Sequence, residues 1–348
     1  MIFFLADTPD GWGIPGIHGP FAEDELDGYV QSGVYLIRGR DGNLLVDSGN
    51  WTIPEHNNGM GDFLVDLLDK EKKPLKYIFI THFHYDHVGN AAMLKKRYGA
   101  QVVCHPHDRP IIEDPMIVTR RENITRFGIT PEAMLEDFNL EPGESFGLSD
   151  PDIVRKYWNF PVEVDHAVND GDILDLGDIK LEVVHLPGHC PGHVGLWNPA
   201  TRTLYPGDLL HYPTPLGPYP IGDAKAHSRS IQRCLDLKPD LLLEGHGLSA
   251  YSQPSSRRRL LHMQSQQNDT QARALFVLQR ERRPLTISEL LPEVMPVKTE
   301  LNYTVSTGKG ERYCYAEACV QTHLLWLIEQ GRVERIKERG KISFAAKP

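Results

Sequence analysis

Thr81-His82-Phe83-His84-Tyr85-Asp86-His87 decides how this chain is read, because it sets three histidines and a carboxylate at the end of the apolar run Tyr77-Ile78-Phe79-Ile80. On an extended chain, residues two apart point to the same side, so His82 and His84 are placed to bind one ion. Asp86 and His87 follow where the chain turns into the next helix; they project in another direction, towards a second ion beside the first. Imidazole nitrogens and a carboxylate suit zinc, and would also accept iron or manganese. Without a cation, these crowded ionisable groups would repel one another or lose solvation.

Upstream of the cluster, Val34–Ile37 and Leu44–Asp47 flank Arg40-Asp41-Gly42-Asn43, which predicts two strands joined by a tight Asp-Gly turn. A helix is expected over 61–72, stopped by Pro74, before the buried strand Tyr77–Ile80. Downstream, Ala91–Tyr98 reads as a helix with a basic last turn and Gly99 as its cap, followed by the strand Gln101–Cys104. Strand, helix, strand predicts a layered α/β domain. Residues 107–165 break this rhythm and form an insertion with the size of a lid. Its aromatics Phe127, Phe138, Tyr157, Trp158 and Phe160 read first as its own small core. Strands resume at Ile173–Leu176 and Ile179–Val184. Leu204-Tyr205 then leads into Gly207-Asp208, a helix covers 228–237, and Leu241–Leu243 leads into Gly245-His246-Gly247.

His-x-His-x-Asp-His after a buried strand, followed in order by Pro187-Gly188-His189, Gly207-Asp208 and Gly245-His246-Gly247, resembles the metallo-β-lactamase superfamily over about residues 33–247. The resemblance implies an α/β fold, a four-layer αββα sandwich with two metals at one edge of its paired sheets. It implies that His82, His84 and His189 hold the first ion, that Asp86, His87 and His246 hold the second, and that Asp208 bridges them. Asp47 matches a position where a carboxylate supports the metal loop. His185, His189 and His193 lie four apart, yet Pro187, Gly188, Pro191 and Gly192 forbid a helix there. Residue chemistry does not choose among the three; the resemblance selects His189 and leaves supporting or packing roles to His185 and His193. His105 and His107 fall outside the pattern and read as solvated loop histidines. Cys190 adjoins His189, but adjacency alone does not aim its sulfur at a metal.

After Gln253-Pro254-Ser255-Ser256 the grammar changes. A long helix over 257–283 is followed by Thr286-Ile287-Ser288-Glu289, a capping box for a short helix. A further helix over 315–330 stops at Gly331, and 332–336 with 341–344 form a hairpin. Helices followed by a hairpin predict a winged-helix-like domain over 257–348, behind a catalytic domain over 1–256. The net charge of −10 is unevenly spread: the tail has 16 Lys+Arg against 10 Asp+Glu, the rest 21 against 37. The acidic part is a poor platform for nucleic acid, whereas the basic tail keeps that role open beside packing or homodimer formation.

Of the 348 residues, 40% are apolar and 24% charged, as expected of a globular protein with a sizeable core. Five cysteines, odd in number and without a Cys-x-x-Cys pair, suit a reducing compartment. Met1–Ala6 lacks the basic start of a signal peptide, and no run approaches the roughly 18 apolar residues of a membrane span. A cytoplasmic location and no membrane partner are the expectation.

Two adjacent metals can bind a bridging water, lower its pKa towards about 7 and polarise an acyl carbonyl, so the expected reaction is hydrolysis by a metal-bound hydroxide. Asp86 would also steer the nucleophile or relay a proton, and His211 or Tyr212, just after Asp208, would donate a hydrogen bond to the oxyanion or leaving group. The pattern resembles hydroxyacylglutathione hydrolases, thioesterases and lactonases. Asp208 and the lack of a leader count against antibiotic hydrolysis. A small-molecule thioester or other carboxylic ester is the first expectation, with Arg120-Arg121 near an anionic portion, and a lactone the second. RNA phosphodiester cleavage and non-catalytic nucleic-acid regulation are the rivals.

Overall fold

A computed structural model of the chain describes residues 5–14, 17–18, 30–50, 59–119, 136–137, 139, 145–146, 154–155, 160–210, 222–246, 250–295, 311–312 and 315–348. His211, Tyr212, Arg120, Arg121, Phe127, Phe138, Tyr157 and Trp158 lie outside them.

The first sheet runs in chain order: β1 (Ala6–Thr8), β2 (Gly11–Ile14), β3 (Val34–Gly39), β4 (Gly42–Val46), β5 (Leu75–Phe79), β6 (Gln101–Cys104) and β7 (His166–Ala167). Its first four strands are antiparallel; β5, β6 and β7 add in parallel. The turn between β3 and β4 depends on Gly42, whose φ of 136° disfavours any side chain. Helices α1 (Met60–Leu68), α2 (Tyr85–Val88), α3 (Ala91–Tyr98) and α4 (Arg109–Glu113) connect or follow these strands. Helix α1 ends four residues before the expected Lys72, because Asp69-Lys70-Glu71-Lys72-Lys73 offers nothing apolar to bury. Gly99 caps α3 in the left-handed region, as its sequence implies.

The second sheet also follows chain order: β8 (Ile173–Asp175), β9 (Lys180–His185), β10 (Val194–Asn198), β11 (Thr203–Tyr205), β12 (Leu241–Leu243) and β13 (Ala250–Ser252). Between β11 and β12 runs α5 (Ala224–Leu237), which starts before the expected Ser228 because the Asp223 side chain caps the Ala226 N–H at 2.9 Å.

Three apolar clusters define four layers. Leu36, Leu45, Ile78 and Val102 of the first sheet pack outward against Leu64, Leu68 and Leu94 of α1 and α3. Alternate residues of the same strands, Ile37, Leu44, Phe79 and Val103, face Leu181, Val183, Val194 and Leu196 of the second sheet. Val184, Trp197, Leu204 and Leu242 then pack outward against Ile231 and Cys234 of α5 and Leu260 and Met263 of the next helix. Helix, sheet, sheet, helix is the expected sandwich, and each fully buried Leu or Ile contributes roughly 1.5–3 kcal/mol to it.

That next helix, α6 (Ser255–Glu281), is followed by α7 (Ile287–Val294), α8 (Tyr315–Glu329) and the hairpin β14 (Val333–Glu338) and β15 (Lys341–Ala346). Thr286 and Glu289 make both bonds of the capping box. The second half of α6 shares a core with α7, α8 and the hairpin, while its first half belongs to the outer layer of the sandwich. The division placed at 256 thus falls at the start of a helix that both parts share.

The insertion touches the C-terminal part. Asp137 pairs with Arg335 at 2.6 Å and accepts from Gln321 at 3.0 Å; Asn139 makes paired bonds to the Ile342 backbone; and 145–146 pairs in parallel with 311–312. No helix among the described residues is long and apolar enough to cross a membrane.

Candidate metal centre

The buried strand β5 delivers the cluster to the edge between the sheets. Residues 81–83 bend instead of continuing as extended chain, a correction to the expected strand-like presentation. The bend still brings the two rings together, with His82 Nε2 2.8 Å from His84 Nδ1. His84 is the N-cap position of α2, so Asp86 and His87 sit on that helix's first turn and point elsewhere.

His189 Nε2 lies 3.1 Å from His82 Nε2 and 3.0 Å from His84 Nδ1. Opposite, His246 Nε2 lies 3.0 Å from Asp86 Oδ2, and His87 Nε2 3.6 Å from the same oxygen. Asp208 stands between the halves, 3.3 Å from His87, 3.2 Å from His246, 3.6 Å from His189 and 3.8 Å from His82. Two donor groups result: His82, His84, His189 and Asp208, and Asp86, His87 and His246, all buried.

These groups suit metal ions. Three imidazole nitrogens converging within 3.1 Å cannot all hydrogen-bond one another, whereas a cation accepts three lone pairs at once. His87 Nε2 and Asp208 Oδ1 are buried without a hydrogen bond. Burial holds His82 well below its ordinary pKa, aided by neighbouring His87, and takes His84 down to about 4, so both rings are neutral donors. On the other side burial is outweighed: Asp208 and Asp86 draw His246 up to about 9, and Asp208, Asp47 and Asp86 hold His87 high. Asp208 stays ionised against burial because His246 and His87 face it. This half demands positive charge, which a second cation supplies.

The loops are held from behind. Asp47, in the left-handed region at φ 58°, accepts from the Thr81 N–H at 2.8 Å and its hydroxyl at 2.9 Å, and lies 2.8 Å from His87 Nδ1. His193 donates from Nδ1 to the Leu186 carbonyl at 3.0 Å, which leaves Nε2 to accept from the Asp208 N–H at 3.0 Å. Its role is to place Asp208. His185 Nε2 bonds the Pro191 carbonyl at 2.9 Å and steadies the His189 loop.

Two expectations needed correction or addition. His105 is buried, not solvated: its ring stacks on His185 at 4.4 Å and on His107 at 5.2 Å, since the turn after β6 folds back over the His185 end of β9. Asp108, which no sequence motif marks, stands at the N-cap position of α4 without capping it. Its carboxylate instead accepts from the Phe83 N–H at 3.1 Å and takes the Cys190 thiol at 3.6 Å, joining the first-metal loops. Burial raises its pKa to about 7, and the Cys190 sulfur is engaged by this carboxylate. Phe160 lines a small recess with Phe83, Tyr85, Val88 and Ile112.

The profile of the metallo-beta-lactamase superfamily matches residues 27–246. A hydroxyacylglutathione hydrolase of Haemophilus influenzae is 28% identical over 54% of this chain and 76% of its own length. An acyl-coenzyme A thioesterase of Gallus gallus is 24% identical over 69% of this chain and 78% of its own. Among solved structures, a metallo-beta-lactamase family protein of Thermus thermophilus aligns with a TM-score of 0.68 at 20% identity, over 95% of this chain and 98% of its own. A beta-lactamase domain protein of Burkholderia ambifaria aligns at 0.71 and 17%, over 99% and 93%. At those identities the two structures speak for the fold alone.

Proposed function

This chain belongs to the metallo-beta-lactamase superfamily and has a dinuclear metal site of hydrolase type, and we propose that it hydrolyses a small-molecule thioester. The observation that carries the reading is the pair of donor groups meeting at Asp208. Bound there, two ions, zinc in our reading, supply an activated water and Lewis acidity towards an acyl oxygen. His82, His84 and His189 would hold the first ion, Asp86, His87 and His246 the second, and Asp208, which faces both groups, would be shared between them. Asp47, Asp108 and His193 keep these side chains aimed, so little reorganisation accompanies the reaction. Asp86, beside His246 at the second ion, is also placed to orient the nucleophile. His211 or Tyr212, a few residues after Asp208 in the sequence, is assigned the hydrogen bond to the oxyanion or leaving group.

Thioesters come before lactones because one relative is named an acyl-coenzyme A thioesterase and another a hydroxyacylglutathione hydrolase. Against nucleic-acid reading stands the burial of α8: from Glu317 to Leu324 every residue is buried, so the helix that would enter a groove is covered. Arg335 and Lys337 of the hairpin are already paired with Asp137 and Glu136. We place the catalytic function in 1–256, the lid in 107–165 and a winged-helix-like support in 257–348, and read the protein as cytoplasmic.

The test is a panel of acyl thioesters, lactones and RNA offered to zinc-loaded protein and to Asp208→Ala. Thioester turnover lost in the variant is the expected outcome. Salt-sensitive RNA cleavage lost in the variant, with no ester turnover, would sink the reading.

A further inference from the structure

We infer that Arg259 and Gln267 of α6 are positioning residues for the second metal ion, so that the C-terminal helix completes a centre whose ligands all lie in the sandwich. The inference rests on the two-metal reading above.

Arg259 closes on two metal loops at once. Its Nε lies 2.9 Å from Glu244 Oε1 and its Nη2 3.1 Å from Oε2, and Nη2 also donates to the Leu210 carbonyl. Glu244 stands two residues before His246, and Leu210 two after Asp208. The Arg259 and Glu244 side chains are only 9% and 3% exposed, so the pair is shielded from water and geometrically fixed.

Eight residues along the same helix, Gln267 makes a second clasp. Its Nε2 donates to His227 Nδ1 at 2.7 Å, and His227 Nε2 donates to the Leu209 carbonyl at 2.7 Å. Between the clasps, Leu260 and Met263 are buried with Leu209, Leu210 and Leu242. Packing alone would ask only for an apolar face, since buried ionic and amide groups are costly unless their partners are fixed. Here those groups engage the residues flanking Asp208 and His246. The first-metal loops, by contrast, are joined by Asp108 from within the sandwich. Beside the supports that both halves share at Asp47 and His193, α6 thus adds one on the His246 side.

The test titrates metal-free, full-length protein with Co2+ and follows the visible d–d absorption. Wild type should fill two steps. Arg259→Met should weaken the second step about tenfold or more and leave the first largely unchanged; Arg259→Lys should recover part of the loss. Gln267→Ala should move the same step in the same direction. Turnover should fall through kcat with KM little changed. If Arg259→Met does not fold, Glu244→Gln and Gln267→Ala decide, with circular dichroism confirming a native fold. Unchanged steps in folded variants, or equal weakening of both, would overturn the inference. Two-step binding by a wild type that turns over no thioester would sink the substrate reading and leave this one intact; binding of a single ion would sink both.

Discussion

His87 Nδ1 lies 2.8 Å from Asp47 Oδ2, and the same carboxylate holds the Thr81 N–H and hydroxyl. One side chain therefore orients His87 and fixes the entry to the cluster. Asp47→Asn keeps the size and tolerates the left-handed backbone, but cannot serve all three donors as a charged acceptor. Metal affinity should fall about 10–100-fold, read by competition with a chelator. Wild-type affinity in this variant would show that His87 needs no such partner.

His246 and His84 serve opposite halves of the centre. His246→Ala should retain one ion per chain and lose at least about a hundredfold in turnover, as when one group stabilising developing charge is removed. His84→Ala should damage the first ion's site instead. Elemental analysis of both variants after gel filtration, reporting metal per chain, checks this. Two ions retained in both would contradict the division.

Gly188 has φ 132°, and a Cβ there would overlap the backbone of His227. The loop can pass under α5 only without a side chain. Gly188→Ala should cost more than about 1 kcal/mol, seen as a lower urea midpoint. An unchanged midpoint would mean that α5 can retreat freely from the His189 loop.

Burial, with His185 and His107 adding, lowers His105 to about 4. The unfolded chain takes up that proton near its ordinary value of about 6.5, so between these pH values it binds more protons than the folded protein. This contribution is intact above about pH 6.5 and is lost as pH falls towards about 4. His105→Gln should flatten the acid limb of the stability profile by roughly 2 kcal/mol over that window. Denaturant midpoints across the pH range, with parallel curves for both proteins, would refute the assignment.

What was legible in the sequence was whatever local pattern dictates. Period-two and continuous apolar runs marked β3, β4, β5 and β9, and Gly99, Thr286 and Gly331 marked helix ends, because caps and turns are decided within a few residues. The His82–His87 cluster was legible for the same reason. His189 was not separable from His185 and His193 by chemistry, since a Pro-Gly loop has no fixed periodicity; the resemblance selected it. Asp108, Arg259 and His227 stayed hidden because their roles rest on contacts 25, 15 and 18 residues away or more. His105 misled for a related reason: its burial comes from β9, some 80 residues on.

The most direct measurement is the rate of acyl-thioester hydrolysis by metal-free protein as zinc is added back in known equivalents. The expected curve rises and levels off at two ions per chain for wild type, and stays near zero for Asp208→Asn. A rate independent of added zinc, or one that levels off at two ions equally in Asp208→Asn, would contradict a dinuclear centre bridged by Asp208.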